Sequence, residues 1–314
     1  MVNSAPNTEF ALIDWLRRES AVSLPVTVGI GDDAAVLAPS SKPQVVTTDM
    51  LMEGVDFVCP PATAVEIGYK ALAVNLSDVA AMAARPTAAF VAISAPRARG
   101  PQFFVDVMRG VMELASRWHV TLAGGDTNTW DGPLVISVTV LGEPFHEQPV
   151  LRRGAKPGDW VLVTGSFGGS LRGGRHLRPT PRIAEAARLV ELAPLHALID
   201  VSDGLSADLH HILEASHVGA DLQAAAIPIH TDVEVMCGGM SPLDHALGDG
   251  EDFELIAALA PDDAVRVLSQ WDLPTPLTKI GEITASHGCR LLQRDGTETD
   301  LPPRGWQHSW SSPV

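Results

Sequence analysis

The stretch Thr63-Ala-Val-Glu-Ile-Gly-Tyr-Lys-Ala-Leu-Ala-Val-Asn-Leu-Ser-Asp78 contains a long apolar helix with a carboxylate inside it. Thr63 and Glu66 have the spacing of a capping box, which predicts that the helix begins here. The apolar pattern continues to about residue 84. Because a buried carboxylate is costly unless it is paired, we expect one of three outcomes for Asp78. It turns towards solvent, it pairs with a base such as Lys70 or Arg85, or it binds a cation.

Short strands and helices alternate on both sides of this helix, and Pro86 is expected to end it. Strands are predicted at residues 34–37, 44–49, 88–94, 120–123, 134–141, 160–164, 197–201, 253–259 and 277–280. Helices are predicted at residues 9–18 with Thr8 as the cap, 101–118, 182–192, 205–215 and 262–271. This mixture in both halves indicates an α/β or α+β architecture. Prolines and glycines within residues 142–159 place a boundary between domains 1–145 and 146–314, and the glycine-rich residues 165–174 are expected to be mobile.

Composition excludes several classes of protein. The 314 residues include 22 basic and 38 acidic side chains, and a net charge of −16 argues against broad binding of a nucleic-acid backbone. Cys59, Cys237 and Cys289 are far apart, which makes a zinc site improbable and suits a reducing compartment. No signal peptide is apparent, and the longest apolar run, residues 88–95, is far shorter than the ~20 residues that span a bilayer. We therefore expect a cytoplasmic protein without membrane partners.

Six segments place an acidic residue beside glycine, serine or threonine. They are Gly29-Ile-Gly-Asp-Asp33, Thr47-Thr-Asp49, Asn75-Leu-Ser-Asp78, Gly124-Gly-Asp-Thr127, Asp200-Val-Ser-Asp-Gly204 and Gly248-Asp-Gly-Glu-Asp252. Oxygen ligands in such turns suit Mg²⁺, and Mg²⁺ held in this way usually carries a nucleotide phosphate. Two carboxylates ~4 Å apart repel each other by ~4 kcal/mol at an effective dielectric of 20. If the segments converge in the fold, bound cations are therefore required.

Each segment also has a structural interpretation that needs no ligand. The pair Thr47 and Asp49 faces one side of a strand end, which is either a Mg²⁺ half-site or a polar terminus. Ser202 or Asp203 either caps the following helix or belongs to a phosphate and metal site where backbone N–H groups bind anions. Glycines at 124 and 125 would let a phosphate approach the backbone closely.

Seven motifs in this order resemble the thiamine-monophosphate kinase family. They are Gly29-Ile-Gly-Asp-Asp-Ala-Ala-Val-Leu37, Thr47-Thr-Asp-Met-Leu-Met-Glu-Gly54, Gly68-Tyr-Lys-Ala-Leu-Ala-Val-Asn-Leu-Ser-Asp78, Gly124-Gly-Asp-Thr127, Arg153-Gly-Ala-Lys-Pro-Gly-Asp159, Ile199-Asp-Val-Ser-Asp-Gly-Leu205 and Gly250-Glu-Asp-Phe-Glu-Leu255. The resemblance covers nearly the whole chain and implies the two-domain fold of aminoimidazole ribonucleotide synthetase. In that fold an N-terminal α/β domain with a mixed sheet forms a homodimer, and a C-terminal α+β domain completes the active-site cleft. The implied reaction is phosphorylation of thiamine monophosphate by ATP to give thiamine diphosphate, by direct in-line transfer with several Mg²⁺ ions.

The resemblance also assigns roles by position. The metal ligands are Asp33, Thr47, Thr48, Asp49, Asp78, Asp126, Asp200 and Asp203, and Asp32 would act through water. Of these, the catalytic carboxylates are Asp49, Asp78, Asp126 and Asp203. The contacts to ATP are Gly125, Asp126, Ser202 and Arg152, with Arg153 as the alternative arginine. Asp56, Glu251 and Trp306 meet the substrate, and Trp306 either stacks on the thiamine ring or packs against the core.

The chain departs from the family pattern at two places. Asp56 stands where a histidine is common, and Asn128-Thr129 stand where an arginine is frequent. The alternatives are other ATP-using enzymes of this fold. Selenophosphate synthetase would need a reactive cysteine near its start, aminoimidazole ribonucleotide synthetase a lysine after the Thr-Asp motif, and the hydrogenase maturation factor a cysteine-bearing tail. A non-enzymatic sensor of cations or nucleotides is the alternative from a different class.

Overall fold

The computed structural model describes residues 9–235 and 239–307. The chain divides into two compact units. The first unit comprises Met1–Val79, Ala84–Pro149 and Leu177–Thr180, and the second comprises Ala80–Ala83, Val150–His176 and Pro181–Val314. None of the helices in the described ranges combines the length and the apolar character needed to cross a bilayer.

A four-stranded mixed sheet forms the base of the first unit. The elements are α1 (Glu9–Glu19), β1 (Val26–Val28), β2 (Val36–Leu37), β3 (Val45–Met52), α2 (Ala64–Ala81), β4 (Ala84–Pro96), α3 (Gly100–Arg117), β5 (Thr121–Trp130) and β6 (Val135–Pro144). The strand order is β3-β6-β4-β5, and β1 and β2 form a separate pair. Strands β4 and β5 are parallel, joined by α3, whereas β6 is antiparallel to both its neighbours.

The predicted capping box opens α2. The Thr63 hydroxyl accepts a hydrogen bond from the Glu66 N–H, and the Glu66 carboxylate accepts one from the Thr63 N–H. The helix ends at Ala81, earlier than predicted, because the chain turns at Ala83, whose φ of 49° is left-handed. Pro86 is not the helix stop, since it lies inside β4. It is tolerated there because pairing with β5 begins only at Ala88.

Two glycines let α2 and α3 cross at backbone contact. A Cβ atom on Gly68 would lie 1.8 Å from the Val107 carbonyl oxygen, and one on Gly110 would lie 1.9 Å from the Val65 carbonyl oxygen. No side chain fits at either position, so the helix crossing depends on both glycines.

The second unit is an α+β arrangement on a seven-stranded sheet. Its elements are β7 (Trp160–Thr164), α4 (Ser170–Gly173), α5 (Ile183–Leu192), β8 (Ala197–Asp200), α6 (Leu205–Ser216), β9 (Gly219–Gln223), α7 (Pro242–Gly248), β10 (Leu255–Leu259), α8 (Pro261–Ser269), β11 (Leu277–Thr284), β12 (Gly288–Leu292) and β13 (Glu298–Asp300). Short 3₁₀ turns lie at Arg97–Arg99 in the first unit and, further along the chain, at Arg175–Leu177, Ala224–Ala226 and Thr231–Val235. The strand order is β13-β12-β9-β11-β7-β10-β8, in which only the β9–β12 pair is parallel.

The glycine-rich residues 165–174, which we expected to be mobile, are largely packed. The Gly168 N–H donates to the Asp252 carboxylate at 3.0 Å, and the Gly169 N–H donates to Asp249 at 2.8 Å. The buried Ser170 hydroxyl donates to the Glu251 carbonyl oxygen at 2.6 Å. Hydrogen bonds therefore connect segment 165–170 to segment 249–252 of the same unit.

Candidate active site

Three carboxylates gather where β3 meets α2, in what we call the β3–α2 cluster (Thr47, Asp49, Asp56 and Asp78). The Thr47 hydroxyl donates a hydrogen bond to the Asp78 carboxylate, which joins the strand to the helix. Asp56 accepts a hydrogen bond from the Met52 N–H at 2.7 Å, which turns its carboxylate back towards the strand. Burial, together with the negative charges of Asp78 and Asp56, raises the pKa of Asp49 to about 7.

This donor set fits Mg²⁺. All the donors are oxygen atoms, from carboxylates and a hydroxyl, and Mg²⁺ prefers such ligands. The raised pKa of Asp49 means that without a cation the cluster cannot keep all its charges at neutral pH. Thr48 faces the other side of the strand, where its hydroxyl accepts a hydrogen bond from Thr139 at 2.9 Å.

The two bases considered for Asp78 make the following contacts. The Arg85 guanidinium lies 3.5 Å from the Glu143 carboxylate. Lys70 is completely buried, and its ammonium group donates to the backbone carbonyl of Asp56 at 2.6 Å. Lys70 therefore holds the turn that carries Asp56. The sequence did not indicate this role.

A second group of acidic residues lines a cavity of about 910 Å³ in the first unit, which we call the turn–β5 pocket. Its lining includes Gly31, Asp32 and Asp33 from the turn, Gly125 and Asp126 from β5, and apolar side chains of α3. A Cβ atom on Gly125 would lie 1.9 Å from a backbone carbonyl oxygen of β4, so only glycine fits there. Carboxylates beside an apolar wall suit a nucleotide with its metal ion.

Residues 124–126 do not form the turn that we predicted. Strand β5 runs through both glycines to Trp130, because parallel pairing with β4 continues as far as Pro96. The glycines therefore bring the backbone close to the pocket from an extended strand.

The sheet separates the two groups within one chain. Strand pairing aligns Asp49, Val138, Val91 and Gly125 in one row. Asp49 and Gly125 are thus three strand spacings apart, about 14 Å. Because side chains alternate along a strand, Asp126 projects from the face opposite to Asp49. One chain brings Asp49 and Asp78 together and keeps Asp126 apart from them.

A third group lies at the start of α6 in the second unit. Single ligand atoms of Asp203, Asp208 and His211 all lie within 4.8 Å of one another. The N–H groups of Asp203 and Gly204 both donate to the Asp208 carboxylate at 3.0 Å. These two N–H groups are therefore engaged by a side chain of the same helix. The N-cap residue is Gly204, and neither Ser202 nor Asp203 has that role.

The charge of Arg152 acts at this third group. Burial raises the pKa of Asp208 to about 7, with a further contribution from the charge of Asp203. The hydrogen bonds from the turn and the positive charge of Arg152 oppose that shift. Arg152 therefore lies close enough to influence the turn after β8, and nearby Asp200 is buried at the end of that strand.

Glu251 and Trp306, two of the residues predicted to meet the substrate, both contact the turn at residues 202–204. The Glu251 N–H donates to the Ser202 carbonyl oxygen at 2.7 Å, and the Trp306 N–H donates to the Asp203 carbonyl oxygen at 3.0 Å. Trp306 is 57% exposed, so it is not a core tryptophan. Glu251 has a φ of 59°, and such left-handed backbone in a residue with a side chain is often found at functional sites.

Sequence reasoning missed Asp208 and His211. The signal was present, because residues three apart lie on one face of a helix, and α6 begins directly after the Asp203 motif. Outside the predicted groups, Cys59 and Cys289 are free thiols, and Cys237 lies outside the described residues. In the described part of the chain, Asp203, Asp208 and His211 form the one group of three His, Cys, Asp or Glu side chains whose ligand atoms all lie within 4.8 Å of one another, and the three carboxylates of the β3–α2 cluster are spaced more widely.

Comparisons with known proteins identify the family of this chain. The model of the AIR synthase related protein N-terminal domain matches residues 31–143, and that of the C-terminal domain matches residues 156–292. Thiamine-monophosphate kinase of Rhodopirellula baltica is 43% identical over 312 residues, covering 96% of this chain and 97% of the relative. This chain belongs to the thiamine-monophosphate kinase family.

Solved structures of this kinase family have the same fold. The crystal structure of thiamine-monophosphate kinase from Stenotrophomonas maltophilia K279a has 39% identity and a TM-score of 0.79, covering 92% of this chain and 97% of that chain. The structure of AaThiL complexed with AMPPCP and TMP has 30% identity and a TM-score of 0.75, covering 96% and 97%. The predicted family, fold and enzyme class are confirmed, and the chain is a kinase. The alternative of a non-enzymatic sensor is thereby set aside.

Proposed function

We propose that this kinase transfers the γ-phosphoryl group of ATP to thiamine monophosphate, releasing ADP and thiamine diphosphate. The observation that carries the proposal is the β3–α2 cluster, where crowding raises the pKa of Asp49 to about 7. A reaction between two phosphate groups brings together several negative charges, and such chemistry depends on positioning and charge neutralisation. The AaThiL complex, which contains AMPPCP and TMP, supports this pair of substrates.

The acidic residues of the three groups would hold Mg²⁺. The predicted carboxylate ligands are Asp33, Asp49, Asp78, Asp126, Asp200 and Asp203, and the hydroxyl ligands are Thr47 and, from the other face of β3, Thr48. When bound, Mg²⁺ neutralises phosphate charge during the transfer. The transfer itself is direct. An oxygen of the acceptor phosphate forms a bond to the γ-phosphorus, the bond from that phosphorus to the bridging oxygen breaks, and ADP leaves with the electron pair.

The remaining residues orient the two substrates. Gly125 allows the nucleotide phosphates to approach β5, because no side chain fits there. Arg152 supplies a positive charge near the turn after β8 for an ATP phosphate, and Ser202 lies in the same turn. Glu251 and Trp306 bind the thiamine group, with the exposed indole stacking on a flat cationic ring. Asp56 adds a third carboxylate at the β3–α2 cluster, where it favours a bound cation over direct contact with an anionic substrate.

A second copy of the chain would complete the site. Asp126 and Asp49 project from opposite faces of one sheet, so they can serve one nucleotide only if they come from different copies. Both β3 and β5 are edge strands of the described sheet, and an edge strand is available for pairing. Val46 and Met50 are about 60% exposed on the face of β3 opposite to α2. An apolar surface next to an open edge supports a homodimer in which the turn–β5 pocket of one copy meets the β3–α2 cluster of its partner.

The substrate assignment is tested with purified protein, ATP, Mg²⁺ and thiamine monophosphate, by measuring thiamine diphosphate and ADP. We expect the two products in equal amounts, and loss of both when Mg²⁺ is chelated. Turnover of an aminoimidazole precursor instead, or ATP binding without product, would contradict the proposal.

A further inference from the structure

A single buried carboxylate holds the turn at residues 202–204. Asp208 is 3% exposed, and one of its oxygens accepts both the Asp203 N–H and the Gly204 N–H. Its own N–H donates to the Gly204 carbonyl oxygen at 2.9 Å, so Asp208 lies in the first turn of α6. Asp208 therefore fixes both peptide groups that follow Ser202.

Two other backbone segments hold the carbonyl side of the same turn. The Glu251 N–H and the Trp306 N–H donate to the carbonyl oxygens of Ser202 and Asp203. The neighbouring glycines fit closely, since a Cβ atom on Gly305 would lie 2.5 Å from the Asp203 carbonyl oxygen. The N–H groups and the carbonyl oxygens of the turn are thus both hydrogen-bonded. The position of the Asp203 carboxylate therefore depends on Asp208 on one side and on the backbone of Glu251 and Trp306 on the other.

We infer that Asp208 is a positioning residue for the phosphoryl transfer, and that it acts by presenting Asp203 to the metal-bound nucleotide. The inference rests on the proposed function. The role is carried by hydrogen bonding, because one Asp208 oxygen accepts both N–H groups and an amide oxygen at the same place can also accept both. Without an acceptor, two N–H groups are left buried, the turn relaxes, and Asp203 no longer meets the ion at the required place.

The test compares Asp208→Ala and Asp208→Asn. We expect Asp208→Ala to raise the Mg²⁺ concentration needed for half-maximal activity by about tenfold to a hundredfold, the usual effect of losing a partner that orients a ligand. Asp208→Asn should stay within about threefold of the unmodified protein, because the amide oxygen replaces the lost acceptor. If Asp208→Ala does not fold, Asp208→Ser serves in its place, since its hydroxyl is too short to reach both N–H groups.

A binding measurement separates this inference from the proposed function. Calorimetric titration with AMPPCP and Mg²⁺ needs no turnover, and it should show the same order, with the asparagine variant close to the unmodified protein. If Asp208→Asn is as defective as Asp208→Ala, the charge is what matters and the inference is wrong. Unchanged Mg²⁺ dependence in Asp208→Ala overturns it as well.

Asp159→Ala is the matched control. Asp159 is also 3% exposed, and its carboxylate accepts the Lys156 N–H at 2.7 Å and contacts His196. Removing it should lower the melting temperature without changing the Mg²⁺ dependence. If Asp159→Ala shifts the Mg²⁺ dependence as far as Asp208→Ala does, the effect reflects general destabilisation and the inference fails.

Discussion

At the residue scale, Asp49 is a carboxylate of the first unit whose pKa is raised by its surroundings. Its neighbours Asp78 and Asp56 are acidic, and burial removes the water that would otherwise screen the three charges. The folded chain therefore holds a proton on Asp49 up to a pH of about 7, whereas the unfolded chain releases it near 4. Between these two values the folded state binds more protons, so this group makes the metal-free protein less stable as the pH rises.

Asp49→Asn should therefore stabilise the metal-free protein while abolishing turnover. Above pH 7 the gain is expected on the order of 1–3 kcal/mol, and it should become small towards pH 4, below which Asp49 is increasingly protonated in both states. Urea unfolding with EDTA at pH 8 and pH 4.5 measures the difference. A large loss of stability at pH 8 would mean that Asp49 has a structural role.

Trp306→Ala should affect one substrate more than the other. Because the indole is exposed at the turn that carries Asp203, its loss removes a stacking surface and leaves the core intact. We expect KM for thiamine monophosphate to rise about tenfold, which corresponds to about 1.4 kcal/mol of lost stacking, with KM for ATP nearly constant. Steady-state kinetics with each substrate varied in turn provides the measurement. Equal changes in both KM values would argue against stacking.

At the scale of elements, the crossing of α2 and α3 positions Asp78. The backbone contact at Gly68 and Gly110 sets how far α2 lies from α3. The Thr47 hydroxyl is hydrogen-bonded to the Asp78 carboxylate, so a displacement of α2 would break this contact between the helix and β3. The glycines of this helix interface are therefore expected to set the position of Asp78, a proposed metal ligand on the same helix.

Gly68→Ala should destabilise the protein and weaken Mg²⁺ binding together. A methyl group 1.8 Å from the Val107 carbonyl oxygen forces the helices apart, at a cost of about 3 kcal/mol or more. Gly248→Ala is the control, because a Cβ atom there has only ordinary contacts and lies in a helix. Chemical unfolding and Mg²⁺-induced thermal shifts measure the two effects. A variant as stable as the unmodified protein would show that the crossing does not depend on this glycine.

The sequence predicts elements where local chemistry determines them. The capping box at Thr63 located the start of α2, and the β-branched run at 160–164 located β7. The end of α2 and the course of β5 could not be predicted, because a left-handed Ala83 and parallel pairing with β4 determine them. Strands β9, β12 and β13 and helix α7 were missed because they are short, and because β9 and β12, which pair with each other, are distant in the sequence.

At the scale of the whole molecule, two acidic groups of the first unit lie on strands at opposite edges of one sheet. The sequence motifs predicted which carboxylates matter, but motif order cannot reveal that Asp49 and Asp126 lie on opposite faces of one sheet. In the proposed homodimer the two carboxylates of one site would come from different copies, with an edge strand of each copy near the other edge strand of its partner.

Complementation between Asp49→Asn and Asp126→Asn tests this account most directly. Each variant alone should be inactive, because every site in its dimer lacks one carboxylate. In a mixed dimer both defects fall in one site and the other site is intact, so random assortment of the two chains should restore about a quarter of full activity. Differently tagged chains, co-expressed and purified through both tags, allow the mixed dimer to be assayed alone. Recovery of about half the activity in that dimer is the expected result, and a mixed dimer as inactive as its parents would contradict a site shared between two copies.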